Sequence, residues 1–212
     1  IRSYCDGFED AGSGLPEGRY VDGLEHARCA VRRRLVRTGP GAGRGALPLP
    51  AQQTISQPYV VALMLSALKL KPHFNVLEIG TGSGYAAAVL GQIVRQVHTI
   101  ERQETLLAYA KTRLNQLGYA NICVHLGDGT LGWSEAAPYD AIVVAAAGPT
   151  VPVSLRSQLS VNGRLVIPVG SYKKQKLQLV WRKRNGRFGQ KTLTPVRFVP
   201  LIGSEGWEDG DQ

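Results

Sequence analysis

Cysteine and long hydrophobic runs are scarce in this sequence, and each scarcity argues against a class of protein. Its 212 residues include three cysteines and one methionine. Cys5, Cys29 and Cys123 are far apart and form no metal-ligand pattern with histidine, so we expect reduced thiols and no metal site. No run approaches the roughly 18 apolar residues of a membrane helix, so we expect no membrane partner.

A secretion signal is also missing, because the first ten residues lack a charged segment followed by an apolar one. We therefore expect a cytoplasmic protein, and we expect a monomer. The chain can form a full core, since 43% of its residues are hydrophobic. Its net charge of +9 and pI of about 9.7 would suit an anionic partner, but they also fit an enzyme that is merely basic.

Composition divides the chain near residue 46. Residues 1–46 are rich in glycine and arginine and contain no lysine, and within them only Leu24–Arg37 has helical apolar spacing. The rest of this segment has the composition of a loop or of partial disorder. The main domain is therefore expected over residues 47–212.

Strand-like and helix-like runs alternate from residue 54 onward. Helices are predicted over 59–70, 85–94, 102–119 and 151–159, and strands over 75–80, 96–101, 121–127, 139–147 and 163–170. This order predicts an α/β fold with a mainly parallel central sheet and helices on both faces. Residues 176–201 predict antiparallel strands, with Asn185-Gly186 as a tight turn.

A glycine-rich loop follows the first predicted strand. The segment VLEIGTGSGY places Gly80, Gly82 and Gly84 between a strand and a helix, where nucleotide-like ligands bind. Tyr85 stands where the dinucleotide fingerprint needs its third glycine. Glu78, just before the loop, would repel a pyrophosphate but attract an ammonium or sulfonium group, which favours S-adenosylmethionine over NAD.

Two further carboxylates end the next two predicted strands. Glu101 lies about twenty residues after the loop, where it could accept hydrogen bonds from both ribose hydroxyls. Asp128, in LGDGT, could accept from the adenine amino group. Each alone could be a solvated carboxylate at a strand end. Together with the loop, they indicate a methyltransferase of the Rossmann-like class.

The sequence resembles the protein-L-isoaspartate O-methyltransferases over about Leu47–Leu201. The resemblance depends on QQTISQPY, VLEIGTGSGY, IER, GDGTLGW, APYDAIVV, GRLVIPVG and PVRFVPL, which occur in this order. It implies a class I methyltransferase domain over 47–212 that uses S-adenosylmethionine. It also implies that the substrate is the free α-carboxylate of L-isoaspartyl residues in damaged proteins and peptides, whose methyl ester then closes to a succinimide.

The resemblance also assigns roles to residues. It implies that Ser56 and Thr54 act on the isoaspartyl carboxylate, and that Gln57 and the Val199 backbone bind the substrate. The implied cofactor-binding residues are Glu78, Gly80, Thr81, Gly82, Ser83, Gly84, Glu101, Arg102, Gly127, Asp128 and Gly129. Capping of the helix that follows is a second role open to Thr54 or Ser56.

Two alternatives remain beside this interpretation. A nucleic-acid methyltransferase would explain the basic segment around Trp181 and Phe188, but Val143–Pro149 lacks the polar side chains that hold a base amine, so nucleic acid is the less favoured partner. A cofactor-binding relative without catalysis would explain why residues 1–46 do not resemble the opening helices of the family and why LPLPAQQTIS is shorter than the usual approach to the site.

Overall fold

The computed structural model describes residues 58–210. Its helices are α1 (Pro58–Leu68), α2 (Tyr85–Gly91), α3 (Glu104–Gln116) and α4 (Val153–Ser157), with short 3-10 turns at Gly129–Leu131 and Ser134–Ala136. Its strands are β1 (Asn75–Ile79), β2 (Gln96–Glu101), β3 (Ile122–Leu126), β4 (Tyr139–Val144), β5 (Leu159–Gly170), β6 (Gln175–Arg182) and β7 (Phe188–Val196). No helix within these residues is long and apolar enough to cross a membrane. Thr54, Ser56, Gln57 and the predicted helix at Leu24–Arg37 lie outside the described residues.

The seven strands form one sheet in the order β3-β2-β1-β4-β5-β6-β7. Strands β1 to β5 are parallel, and β6 and β7 are antiparallel to their neighbours. The expected α/β fold with an antiparallel C-terminal region is therefore confirmed. The order reverses at β1, whose neighbours are β2 and β4, so the loop after β1 opens at the switch point where such sheets bind ligands.

Two packed layers cover the sheet. One face packs against α1 and α2 through Met64, Leu65 and Leu90, and the other packs against α4 through Leu155 and Ile142. The four residues Val76–Ile79 of the central strand β1 are almost fully buried, as expected for a parallel strand covered on both faces. A rigid sheet therefore supports the loops at its carboxyl edge.

Several predicted boundaries differ from the structure by a few residues, and the end of α2 and the start of β5 illustrate why. Helix α2 ends at Gly91, three residues early, because the Gly91 carbonyl accepts from the Asn121 side chain at 2.9 Å and the N–H groups of Gln92 and Ile93 bond to carbonyls three residues back. Strand β5 begins at Leu159 instead of Gly163. Leu159 pairs with Tyr139, and a register shift at the positive-φ residue Asn162 lets pairing resume at Arg164. The predicted turn at Asn185-Gly186 is confirmed, with Gly186 at φ 79°.

One expectation about a single side chain is wrong, and one contact between side chains was not expected. Cys123 is disulfide-bonded in the structure, whereas a reduced thiol was expected, and the other two cysteines lie outside the described residues. His98 and His125 lie on adjacent strands, with Nδ1 of His98 3.0 Å from Nε2 of His125, a pairing that sequence spacing does not reveal.

Candidate active site

The glycine loop, Gly80–Gly84, connects β1 to α2 at the carboxyl edge of the sheet. Gly82 has a φ of 52°, in the left-handed region that glycine adopts without strain. This conformation lets its N–H donate to Oε2 of Glu101 at 3.0 Å. The loop is therefore fastened to the end of β2, and a ligand in the crevice would contact both.

Most of the loop's N–H groups already have partners. Those of Gly80 and Thr81 donate to the Ile100 carbonyl, and that of Gly84 donates to the Thr81 carbonyl. The Ser83 hydroxyl accepts from the Tyr85 N–H. A loop whose N–H groups are satisfied offers little to a pyrophosphate. The geometry thus agrees with a ligand recognised by carboxylates, as expected for S-adenosylmethionine.

Glu78 is buried directly below this loop. Oε2 of Glu78 accepts from the Thr99 hydroxyl at 2.6 Å, and that hydroxyl lies 2.7 Å from the hydroxyl of Thr81. The other oxygen, Oε1, is buried and has no hydrogen-bond partner among the described residues. Burial raises the pKa of Glu78 to about 8; the Thr99 hydroxyl and, more weakly, the nearby backbone N–H of Ala87 oppose this rise, and the nearby Glu101 adds to it.

A buried carboxyl group with one unpartnered oxygen is suited to a cationic ligand. A positive group beside Oε1 would satisfy this oxygen and favour the ionised form of the carboxylate. The ammonium and sulfonium of S-adenosylmethionine are such groups, so the residues present fit this cofactor. Sequence analysis missed Thr99, although a polar residue in the apolar strand QVHTIE, paired in register with Glu78, is its signal.

Glu101 lies at the end of β2 and is 6% exposed. Oε2 accepts from Gly82, and Oε1 accepts from the N–H groups of Arg102 at 2.9 Å and Gln103 at 3.1 Å. A carboxylate oxygen accepts two hydrogen bonds, so Oε2 keeps one position for a further donor such as a ribose hydroxyl. Glu101 also orients the loop, a role that its sequence position alone does not indicate.

Asp128 follows β3 and caps the 3-10 turn at Gly129–Leu131. Oδ1 accepts from the N–H and the hydroxyl of Thr130 at 2.8 and 2.6 Å, and Oδ2 accepts from the Ser204 N–H at 2.7 Å. Burial raises the pKa of Asp128, but these hydrogen bonds outweigh burial and leave the pKa below its usual value. Gly129 packs so closely on Ile79 that a β-carbon would collide with it. Gly127 donates its N–H to the Glu101 carbonyl.

The C-terminal segment, Gly203–Asp209, lies against this part of the site. Glu205 donates its N–H to the Thr130 hydroxyl and accepts from Ser154, and the Trp207 indole N–H donates to the Ala147 carbonyl at 3.0 Å. Arg102 forms an exposed ion pair with Asp209. Sequence analysis missed this segment, whose glycines, acidic residues and single tryptophan after VRFVPL are its only signal.

Val199 lies in an irregular segment that follows β7. The buried side chain of Gln175 donates to the Phe198 carbonyl and accepts from the Phe198 N–H at 2.6 Å, which ends the regular pairing of β7. The Val199 carbonyl then accepts from the Ala147 N–H at 2.8 Å. The Val199 N–H bonds to no described residue, and its side chain is 40% exposed. A substrate backbone could therefore pair with it.

The chain after β4 holds no polar clamp. Ala145, Ala147 and Gly148 bond through their backbones to Ile79, Val199 and Pro168. This segment offers a base amine no side-chain acceptor, which disfavours the nucleic-acid alternative. Among residues 58–210, no three His, Cys, Asp or Glu side chains are placed to hold a metal ion.

The parallel sheet, the loop at its switch point and the three successive carboxylates define a Rossmann-like methyltransferase that uses S-adenosylmethionine. A family model for protein-L-isoaspartate(D-aspartate) O-methyltransferase matches residues 43–206. The chain belongs to this family. Membership confirms the expected fold class, the cofactor, and the expected reaction on isoaspartyl residues of proteins and peptides.

Individual relatives agree with this assignment. A protein-L-isoaspartate O-methyltransferase from Rhodopseudomonas palustris is 56% identical over 76% of this chain and 75% of its own length. One from Geotalea uraniireducens is 58% identical over 76% and 74%. A crystal structure described as a protein-L-isoaspartate O-methyltransferase from Plasmodium falciparum in complex with S-adenosyl-L-homocysteine is also similar. Its TM-score is 0.75 at 24% identity, over 87% of this chain and 92% of the other. This similarity shows the shared fold.

Proposed function

We propose that the carboxyl edge of β1, β2 and β3 holds S-adenosylmethionine, and that Val199 and the segment Thr54–Gln57 hold the isoaspartyl carboxylate beside it. The observation that supports this assignment most strongly is the buried Glu78 with its unpartnered Oε1. The bound cofactor supplies an electrophilic methyl group on a positively charged sulfur.

The cofactor's three parts match three carboxylates along the edge. Glu78, with Gly80–Gly84 around it, binds the methionine end through charge attraction. Glu101 accepts from the ribose through the free position on Oε2, and Asp128 with Gly127 and Gly129 bounds the adenine. Arg102 supports the cofactor site indirectly, because its ion pair with Asp209 anchors the C-terminal segment over this edge.

The substrate's own carboxylate is the nucleophile. It is ionised at neutral pH and therefore needs no general base. One carboxylate oxygen forms a bond to the methyl carbon, the carbon–sulfur bond breaks, and its electron pair returns to sulfur. Catalysis then depends mainly on proximity and orientation. We assign orientation to the hydroxyls of Ser56 and Thr54, with Gln57 and the Val199 N–H binding the peptide.

The test is the transfer of labelled methyl from S-adenosylmethionine to an isoaspartyl peptide, with the aspartyl peptide as the negative substrate. Ser56→Ala should lower kcat by at least tenfold while leaving cofactor affinity unchanged. Ser66→Ala, an exposed hydroxyl on α1 that bonds to the Ala62 carbonyl, is the matched control and should retain full activity. Cofactor binding without transfer to either peptide would contradict the proposal and support the non-catalytic alternative.

We also propose a monomer in which residues 47–212 form the catalytic domain and residues 1–46 form a diverged segment. The family match from residue 43 supports this division. Analytical ultracentrifugation tests the monomer. We place the protein in the cytoplasm, where S-adenosylmethionine is available. Fractionation of cells followed by immunodetection tests this location, and recovery of the protein mainly in a membrane or secreted fraction would contradict it.

A further inference from the structure

Positive charge is concentrated in the C-terminal third of the chain. Residues 141–204 contain 11 of the 25 lysines and arginines and none of the 16 aspartates and glutamates. The remaining 14 cations and all 16 anions lie elsewhere, so the rest of the chain is slightly acidic. The net charge of +9 therefore comes entirely from one continuous segment, which forms α4 and strands β5 to β7.

Three exposed cations of this segment lie beside Val199, and we call them the near cations. Lys173 and Lys174 lie in the turn between β5 and β6, at the carboxyl edge of the sheet. Val196 pairs with Gln175, so Arg197, the next residue, lies level with Lys174. The near cations thus lie on the same edge as the glycine loop and extend from the segment that would bind the substrate backbone.

No carboxylate within residues 58–210 neutralises the near cations. Within residues 58–210 the exposed ion pair is that of Arg102 with Asp209, and none of the near cations has a carboxylate within 4.0 Å. Other cations of the segment are occupied: Arg164 donates to the Ala67 carbonyl and Arg182 to the Leu159 carbonyl. Uncompensated charge beside a binding site attracts oppositely charged ligands and accelerates their association.

We propose that the near cations dock acidic side chains that flank the isoaspartyl residue, so that this enzyme favours damage in acidic segments of proteins. The proposal rests on the proposed function and adds a substrate preference to it. A peptide that pairs with the Val199 N–H continues past Arg197 toward the β5–β6 turn. Asp or Glu side chains a few residues from the isoaspartate would then meet three cations that have no carboxylate partner among residues 58–210.

The same hairpin provides an internal control. Lys183, Arg184 and Arg187, the far cations, lie in and beside the β6–β7 turn, at the opposite end of β6 from the near cations. They are also exposed and also have no carboxylate partner within the described part of the chain. Neutralising either set removes three positive charges, so a difference between the two variants reports position and not total charge.

The experiment measures KM and kcat for isoaspartyl peptides of equal length with acidic, neutral or basic flanking residues, at low and high salt. In the unaltered enzyme, KM for the acidic peptide should be about fivefold below that for the basic peptide at low salt, a size typical of a few exposed charge pairs. The near-cation variant is Lys173→Gln/Lys174→Gln/Arg197→Gln and should abolish this difference. The far-cation variant, Lys183→Gln/Arg184→Gln/Arg187→Gln, should keep it, and kcat for the neutral peptide should not change in either.

Three results would overturn the proposal. Equal KM values for all peptides in the unaltered enzyme would show that charge is not recognised. An equal loss in both variants would show a long-range field without a docking surface. Tight binding of a single-stranded RNA that is lost in the near-cation variant, with peptide preference unchanged, would assign the surface to nucleic acid.

The proposed function can fail separately. If no isoaspartyl peptide is methylated, the proposed function is contradicted, but fluorescence anisotropy of labelled acidic and basic peptides still measures docking. Stronger binding of the acidic peptide that disappears only in the near-cation variant supports the surface. Equal binding of both peptides contradicts it.

Discussion

The carboxylate of Asp128 joins β3 to the C-terminal segment, because its Oδ2 accepts a hydrogen bond from the Ser204 N–H at 2.7 Å. The residue before Ser204, Gly203, has a φ of 155°, and a β-carbon there would collide with the Asp128 carboxylate. A single residue proposed to bind adenine therefore also holds the chain that covers the same edge of the sheet.

Gly203→Ala should displace the C-terminal segment from Asp128. We expect the free energy of unfolding to fall by about 1–3 kcal/mol, the usual cost of forcing an extra carbon into a packed site. Cofactor binding should also weaken. Calorimetry of unfolding and of S-adenosylmethionine binding measures both. Gly210→Ala is the matched control, since Gly210 has a φ of 111° but no neighbour within 4 Å. Equal effects of the two substitutions would mean that backbone strain, and not contact with Asp128, is responsible.

Glu78 should make cofactor binding depend on pH. Its pKa of about 8 leaves it protonated at neutral pH in the free protein, and a cationic ligand favours its ionised form. Binding should therefore release a proton and weaken as pH falls below about 8. Titration calorimetry at pH 7 in buffers of different ionisation enthalpy measures the proton. Glu78→Gln should abolish the release and weaken binding, while the exposed Glu208→Gln should change neither.

The same carboxyl group should affect stability in the free protein. Its folded pKa lies above its usual value of 4.5, so protonated Glu78 favours folding. This contribution is fully present below about pH 4.5 and is lost as pH rises through about 8. As pH rises from about 4.5 to about 8, the thermal stability of Glu78→Gln should therefore increase relative to that of the unaltered protein. A pH-independent difference would contradict the shifted pKa.

The pair His98 and His125 should make stability depend on pH in the direction opposite to that of Glu78. Burial lowers the pKa of His125 to about 4, with a further contribution from His98, and burial also lowers the pKa of His98. Both favour folding in the neutral form, so their contribution is present above about pH 6.5 and is lost as pH falls toward 4. In the double variant His98→Gln/His125→Gln, the midpoint of thermal unfolding should depend less on pH over that range. The exposed His73→Gln is the control and should preserve the slope.

Replacing Gln175 should weaken binding of the peptide more than binding of the cofactor. Its amide holds the backbone of Phe198 through two hydrogen bonds and so positions Val199. Gln175→Leu should raise KM for an isoaspartyl peptide severalfold and leave the cofactor dissociation constant unchanged. Gln190→Leu, on the exposed part of β7, should change neither. Equal losses of peptide and cofactor binding in Gln175→Leu would indicate general unfolding of the carboxyl edge.

Most of the fold could be predicted from the sequence, because short apolar strands and amphipathic helices have different periods. The boundaries of α2 and β5 could not, since the first depends on a hydrogen bond from the Asn121 side chain to the Gly91 carbonyl and the second on a register shift between Leu159 and Arg164. The pairing of His98 with His125 was missed for a similar reason: period identifies strands but does not identify which side chains face each other across them.

Local spacing along the chain indicates the α/β fold and the order of Glu78, Glu101 and Asp128, and the resemblance of the motifs from QQTISQPY to PVRFVPL indicates the family. What those carboxylates contact depends on the tertiary structure. Thr99 reaches Glu78 through strand register, Gly82 reaches Glu101 through the turn of its loop, and Ser204 reaches Asp128 from 76 residues away. Contacts between distant residues depend on how the elements pack, and spacing along the chain does not contain that information.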